Sequence, residues 1–207
     1  GANCPAPRTY FAHYYKRFLQ FMDEPAITSN DIVMLGNSLT EGGGDWGKRL
    51  GKDNVINRGI SGDVAMGIYD RLHQILPGKP KQIFLLIGVN DISHDLSTDS
   101  IVNMIEKNVT RIQRESPETK LYLQSLLPID ESFNRYKKLT NKTYQIPEIN
   151  DRLKALAKEK KIDFIDLYPL FTEKGTNVLR KELTYDGLHL KEEGYKIWVD
   201  AIKKKMK

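Results

Sequence analysis

Cysteine is nearly absent from this sequence, since Cys4 is the only one among 207 residues. An intrachain disulfide is therefore impossible, and we expect Cys4 to be an unpaired thiol on an N-terminal arm. No His, Cys or carboxylate cluster has the spacing of a zinc site, so we expect neither a metal nor another cofactor. The chain begins at Gly1 without methionine. From this we expect that a leading segment has been removed and that the protein is exported to the periplasm or secreted.

Long apolar runs are also missing. The longest one covers residues 83–87, whereas a helix that crosses a bilayer needs about 20 apolar residues. The apolar fraction is 40% and the charged fraction is 29%, values that are ordinary for a soluble globular protein. We therefore expect one domain over residues 1–207, without stable membrane insertion.

Basic clusters are confined to the C-terminus. The net charge is +5, but four of the positive charges are the lysines at positions 203–205 and 207. Cations at the end of a terminal helix interact favourably with its dipole. No other basic cluster alternates with aromatic residues as in single-strand binders, so we expect no nucleic-acid partner. Binding of DNA or a phospholipid surface by the terminal lysines is the alternative.

Short apolar segments alternate with longer amphipathic ones along the chain, which is typical of repeated βα units. Strands are predicted at residues 31–35, 55–57, 82–87, 121–124 and 162–165. Helices are predicted at residues 10–22, 64–75, 98 to at least 112, 147–161 and 191–205. This order predicts an α/β fold, a three-layer α/β/α sandwich around a five-stranded parallel sheet.

Polar residues follow the first three predicted strands and precede the last helix. They form four segments, at residues 36–40, 57–63, 88–91 and 185–190. In open α/β sheets, ligands bind outside the carboxyl ends of the strands. We therefore expect the four segments to meet at one edge of the sheet.

Together these segments contain the groups that acyl transfer requires. A serine hydroxyl such as that of Ser38 becomes nucleophilic when a neighbouring base takes its proton. His189 can be that base, and Asp186 can orient its ring. A tetrahedral intermediate also needs hydrogen-bond donors at its oxyanion. The backbone N–H groups of Ser38 and Gly62 and the side-chain amide of Asn90 are the candidates.

At these residues the sequence resembles the SGNH, or GDSL-like, hydrolase family. Gly36-Asn37-Ser38-Leu39 resembles the nucleophile motif, Gly62 and Asn90 match the second and third motifs, and Asp186-Gly-Leu-His189 matches the last. The resemblance implies a flavodoxin-like sheet and ester hydrolysis through a covalent acyl-enzyme. The motifs are most similar to those of the branches that resemble platelet-activating-factor acetylhydrolases and carbohydrate O-acetylesterases. Those branches imply a short acyl group, often acetyl, on a small-molecule or carbohydrate ester. Asn37 departs from the family, which usually has an acid there.

Several alternatives stay open at this stage. Ser38 alone could be a helix N-cap, Asp91 could belong to an ordinary turn, and the long polar segment 128–146 could be either a substrate lid or a plain surface loop. The same fold could bind an acyl ester or glycan without turnover, or could hydrolyse lysophospholipids or thioesters. Trp46 and Tyr185 are expected to pack in the core or at the rim, and His94 is a weak candidate for the pocket edge. The oligomeric state is not determined.

Overall fold

A five-stranded, all-parallel sheet forms the centre of the protein in the computed structural model, which describes residues 8–206. Cys4 lies outside the described residues. The strand order is β2-β1-β3-β4-β5. The strands are β1 (Ile32–Gly36), β2 (Val55–Gly59), β3 (Gln82–Leu86), β4 (Lys120–Gln124) and β5 (Asp163–Ile165). All five predicted strands are present, with bounds that differ by at most two residues.

Helices connect the strands and follow the last one. They are α1 (Ala12–Asp23), α2 (Ser38–Glu41), α3 (Trp46–Leu50), α4 (Ala65–Tyr69), α5 (Val89–Ser93), α6 (Thr98–Glu115), α7 (Gln145–Lys160), α8 (Tyr168–Phe171) and α9 (Glu192–Ile202). The 3₁₀ turns are Leu72–Gln74, Leu76–Gly78, Glu131–Phe133, Lys137–Leu139, Lys181–Leu183 and Lys203–Lys205. No helix in residues 8–206 is both long and apolar enough to cross a membrane.

The central strands are covered on both faces. Every residue of β1 and β3 is buried, as expected for parallel strands between two helical layers. On one side α6 contacts both α4 and α7. In a second group of helices, Trp46 of α3 packs edge-to-face against Trp198 of α9, with ring centroids 4.9 Å apart. The predicted three-layer α/β/α fold is confirmed, and Trp46, which is 1% exposed, belongs to the core.

The predicted helix over residues 64–75 is wrong in its second half. α4 ends at Tyr69, and two 3₁₀ turns follow it. Ile68, Leu72 and Ile75 of this stretch are nevertheless all buried, since a 3₁₀ turn, like an α-helix, keeps residues three apart on one face. The closing helix likewise ends at Ile202, before a 3₁₀ turn of lysines.

Arg71 lies between α4 and the first 3₁₀ turn, and its side chain is fully buried. Its Nη1 donates to the carbonyl oxygen of Arg58 at 2.9 Å, and its Nη2 donates to that of Gly36 at 3.1 Å. Nη2 also lies 2.8 Å from Oδ2 of Asp63. One guanidinium group therefore joins the carboxyl ends of β1 and β2 to the segment that follows β2.

Replacing Arg71 with methionine should destabilise the protein strongly. The substitution leaves the buried carboxylate of Asp63 unpaired and two carbonyl groups without donors, and breaking such a buried pair costs about 3–5 kcal/mol. The free energy of unfolding, measured by urea denaturation, reports the loss. Arg152→Met is the control, because its ion pair with Asp99 is exposed and should contribute less than about 1 kcal/mol. Equal losses in the two variants would contradict this assignment.

Candidate active site

Ser38 is the first residue of α2, directly beyond the end of β1. The N-cap of this helix is Asn37, whose Oδ1 accepts a hydrogen bond from the backbone N–H of Leu39 at 3.1 Å. The N-cap alternative for Ser38 is therefore wrong, and its hydroxyl is not used for capping. Asn37 is fully buried. The amide caps the helix without burying a charge, but its Nδ2 is buried and has no hydrogen-bond partner among residues 8–206.

The hydroxyl of Ser38 meets the imidazole of His189 across 151 residues of sequence. Oγ of Ser38 lies 3.0 Å from Nε2 of His189. On the other side of the ring, Nδ1 lies 2.8 Å from Oδ2 of Asp186. The second carboxylate oxygen, Oδ1, accepts the backbone N–H groups of Leu188 at 3.0 Å and His189 at 2.8 Å. The structure thus brings together the three residues that the sequence assigns to a nucleophile, a base and an orienting acid.

A tight turn before α9 holds Asp186 and His189 three residues apart. Gly187 has φ +92°, and a Cβ there would lie 2.4 Å from the carbonyl oxygen of Asp130, so this position requires glycine. The hydroxyl of Thr184 accepts the N–H of Gly187 at 2.9 Å and donates to the carbonyl oxygen of His189 at 2.6 Å. Local bonds therefore set the directions of both catalytic candidates.

Asp186 stays ionised in this environment. Partial burial by itself would raise its pKa, but hydrogen bonds from Tyr136, from the ring of His189 and from two backbone N–H groups outweigh burial and hold the pKa of Asp186 well below its usual range. A carboxylate that is charged over the whole physiological pH range can stabilise an imidazolium beside it.

Tyr136 is the main residue that the sequence reasoning missed. Its hydroxyl donates to Oδ2 of Asp186 at 2.5 Å, and its oxygen lies 2.9 Å from Nδ1 of His189. Burial first, and then the charged carboxylate of Asp186, raises the pKa of Tyr136 to about 12, so the phenol keeps its proton. Tyr136 lies in the polar segment 128–146, where no periodicity or motif distinguishes it from its neighbours.

Three N–H groups, from Ser38, Gly62 and Asn90, are candidates for the oxyanion hole. As the first residue of α2, Ser38 has a backbone N–H without an intrahelical acceptor. Gly62 has φ +88°, in the left-handed region that favours glycine. The side-chain Nδ2 of Asn90 donates to the carbonyl oxygen of Asp63 at 2.9 Å, which leaves its second hydrogen for a ligand. Ser38, Gly62 and Asn90 line the same cleft as His189.

This cleft has a volume of about 570 Å³. It is lined by Ser38, Ser61, Gly62, Asn90, Ser93, Arg135, Tyr136, Lys137, Lys138, Leu139, Leu188 and His189. The segment 135–139 forms one wall, so the polar segment 128–146 is part of the cleft and is not a remote surface loop. His94 and Tyr185 are not among the lining residues.

Asp91 connects the segment that carries Asn90 to the segment that follows Gly62. It belongs to α5 and is 1% exposed, so the assignment to an ordinary turn is wrong. Its Oδ2 accepts the backbone N–H of Ala65 at 3.1 Å. Together with the bond from Asn90 to Asp63, this contact joins α5 to the chain that follows Gly62. Burial, assisted by the charge of Asp63, raises the pKa of Asp91 to about 7 although the N–H of Ala65 opposes the shift.

Comparison with known protein families identifies the family of this chain. The model of the GDSL-like lipase/acylhydrolase family matches residues 34–197. The matched region begins within β1 and ends within α9. It therefore includes every residue assigned above to the cleft.

Individual proteins show the same relationship. The chain is 26% identical over 177 residues to an N-acylneuraminate cytidylyltransferase of Escherichia coli, and the match covers 84% of this chain but only 39% of that protein. It is 26% identical over 203 residues to a GDSL esterase/lipase of Arabidopsis thaliana, with 83% of each covered. The solved structure of a GDSL-like lipase from Bacteroides thetaiotaomicron has 25% identity and a TM-score of 0.82, and the match covers 95% of this chain and 98% of that one. The family predicted from the motifs is confirmed.

Replacing Tyr136 with phenylalanine should slow turnover of an ester such as p-nitrophenyl acetate. A hydrogen bond to a charged group is removed, and we expect kcat to fall about tenfold with little change in KM. Without the phenol, the carboxylate of Asp186 attracts the proton on the imidazole more strongly. The acid limb of the pH–rate profile should therefore move to higher pH.

The control for this experiment is Tyr144→Phe, since Tyr144 is 63% exposed and does not line the cleft. A pH–rate profile that is the same in Tyr136→Phe and in the unaltered protein would show that the phenol acts only in packing.

Asp91 should make stability depend on pH. Its folded pKa of about 7 lies above the unfolded value of roughly 4, so its contribution to stability is complete below about pH 4 and is lost as the pH rises through 7. In Asp91→Asn, the amide oxygen can still accept the N–H of Ala65. Between pH 4.5 and 7.5, the free energy of unfolding of this variant should fall by on the order of 2 kcal/mol less than that of the unaltered protein. Urea denaturation at the two pH values measures this difference. Asp53→Asn, at an exposed position, should behave like the unaltered protein, and an equally steep fall in Asp91→Asn would be inconsistent with a raised pKa.

Proposed function

The chain belongs to the GDSL-like lipase/acylhydrolase family and is a carboxylic ester hydrolase, and on that premise we propose that it removes short acyl groups, acetyl above all, from acylated carbohydrate. Ser38 is the nucleophile, His189 the general base and acid, and Asp186 the orienting carboxylate. The observation that carries this assignment is the continuous set of contacts from Oγ of Ser38 through the imidazole to the carboxylate of Asp186.

Acylation follows from the position of the imidazole. Nε2 of His189 takes the proton of the Ser38 hydroxyl while Oγ forms a bond to the ester carbonyl carbon. The imidazolium is stabilised by Asp186, which remains ionised. When the tetrahedral intermediate collapses, the bond to the alcohol oxygen breaks and His189 gives its proton to that oxygen, so the alcohol leaves and the acyl group stays on Ser38.

The developing oxyanion is stabilised by donors that do not have to move. The backbone N–H groups of Ser38 and Gly62 and the side-chain amide of Asn90 are our candidates, each worth roughly 3–4 kcal/mol of transition-state stabilisation. Deacylation repeats these steps with water as the nucleophile. His189 takes a proton from water as the water oxygen bonds to the acyl carbon. When this second tetrahedral intermediate collapses, the bond between the acyl carbon and Oγ of Ser38 breaks, His189 returns the proton to Oγ, and the carboxylic acid leaves.

The short acyl group is proposed from the motifs of the sequence, which are most similar to those of carbohydrate O-acetylesterases. Leu139 and Leu188 are the only lining residues of the cleft with wholly aliphatic side chains. The other lining residues are mostly polar and suit a hydroxylated alcohol such as a sugar. The E. coli relative is named for its action on N-acylneuraminate, which is a sugar.

Ser38→Ala tests the mechanism directly. With p-nitrophenyl acetate, we expect the rate of the variant to fall by a factor of about 10⁴ or more, because loss of the nucleophile removes the acyl-enzyme route. The unaltered protein should be labelled covalently by a fluorophosphonate, and Ser38→Ala should not. The matched variant Ser61→Ala should still be labelled, since Ser61 lines the same cleft but is not paired with His189.

Two results would reject parts of this proposal. Equal rates in the unaltered protein and in Ser38→Ala, without labelling, would indicate a binding module that holds an ester or glycan without turnover. Higher kcat/KM for octanoyl or lysophospholipid esters than for acetyl esters would reject the short-chain specificity and favour a lysophospholipase or thioesterase.

A further inference from the structure

Three cationic side chains line the candidate active-site cleft, and all three come from the same segment. Arg135, Lys137 and Lys138 line the same cleft as the oxyanion candidates, and we call them the cationic wall. None of the twelve lining residues is an aspartate or a glutamate. The cleft therefore combines neutral catalytic and polar groups with a cationic wall.

The position of this wall is set by the catalytic residues themselves. The phenol of Tyr136 is hydrogen-bonded to Asp186 and close to Nδ1 of His189. Adjacent Cα atoms are about 3.8 Å apart. The backbone of Arg135 and of Lys137 is therefore close to that of Tyr136, whose side chain is fixed by its hydrogen bond to Asp186. Leu139, 3% exposed, secures the other end of the segment in the core. Arg135 and Lys137 therefore flank Tyr136 in the lining of the cleft.

The acidic residues near the cleft are already paired. Glu41 is bonded to His13 and to the backbone N–H of Ser61. Asp186 is bonded to His189, and Asp95 pairs with Lys142. Of the three cations of the wall, Lys138 also interacts electrostatically with Asp95, which leaves Arg135 and Lys137 as the candidates for binding an anion.

Arg135 and Lys137 form no ion pair with any residue between 8 and 206. Like charges held close together repel each other, and an anion placed between them relieves this repulsion. Cations at the mouth of a cleft also raise the local concentration of anionic ligands. The guanidinium group of Arg135 offers paired N–H donors that match a carboxylate.

We infer that the preferred substrate is an acylated sugar that carries an anionic group, in the simplest case a ring carboxylate, which Arg135 and Lys137 bind while the ester carbonyl lies at Ser38. This inference rests on the proposed esterase function and adds the charge of the substrate to it. The neutral walls of Ser61, Ser93 and Asn90 then face the sugar hydroxyl groups.

A matched pair of substrates isolates the charge. The methyl glycosides of 3-O-acetylgalactose and 3-O-acetylgalacturonic acid share their stereochemistry and differ at C6, which is a hydroxymethyl group in one and a carboxylate in the other. At low salt, we expect kcat/KM to be about fivefold higher for the uronate, as two exposed ion pairs would give. The ratio should approach one in about 1 M NaCl, where the screening length falls to roughly 3 Å.

The double variant Arg135→Gln/Lys137→Gln should reduce this ratio to about one at low salt. Lys107→Gln/Lys204→Gln removes the same charge from exposed positions outside the cleft and should keep the preference for the uronate. Circular dichroism of both double variants checks that they are folded.

The outcomes separate this inference from the function on which it rests. Equal kcat/KM for the two sugars in the unaltered protein, or a preference that survives in Arg135→Gln/Lys137→Gln, overturns the inference alone. Failure to hydrolyse either sugar while p-nitrophenyl acetate is turned over also overturns it. Failure on all three esters, without fluorophosphonate labelling of Ser38, overturns the esterase function itself.

Discussion

The buried guanidinium group of Arg71 is the contact on which the geometry of the site depends most. It holds the carbonyl groups of Gly36 and Arg58 and the carboxylate of Asp63 around one cation. Ser38 follows Gly36 by two residues, and Gly62 directly precedes Asp63. A single side chain therefore links the segment that carries the proposed nucleophile to the segment that carries a candidate oxyanion-hole donor. Arginine suits this position because its guanidinium group is planar, always charged, and able to donate hydrogen bonds to several acceptors at once.

The site is built from two kinds of structure with different roles. The carboxyl ends of the strands and the turn before α9 supply Ser38, Asn90 and His189, whose positions follow from the sheet. The segment 135–139 crosses this edge and contributes the phenol of Tyr136 together with cationic side chains. Because Tyr136 contacts Asp186 directly, the cationic wall is attached to the orienting carboxylate of the proposed triad. The proposed recognition of substrate charge and the orientation of the imidazole thus depend on the same short segment.

Much of the fold was predictable from the sequence because its signals are local. Continuous apolar residues predict β1 and β3, and the turn residues around them mark where they end. The four polar motifs are recognisable for the same reason, since each lies within a few residues at a strand end or before α9. The interruption after α4 was not predictable, because residues three apart lie on one face of both an α-helix and a 3₁₀ turn, so the apolar spacing does not show where one changes to the other.

By itself, the sequence determined the family, the parallel α/β architecture and the residues Ser38, Asp186 and His189, since each is encoded by a short pattern in a recognisable order. Only the tertiary structure decided that Tyr136 would contact His189 across 53 residues and that Arg71 would reach Gly36 across 35. Neither contact is indicated by a periodic pattern in the sequence. A hydrogen bond between distant residues depends on where packing places two side chains in space, and a single sequence carries no local signal of that distance.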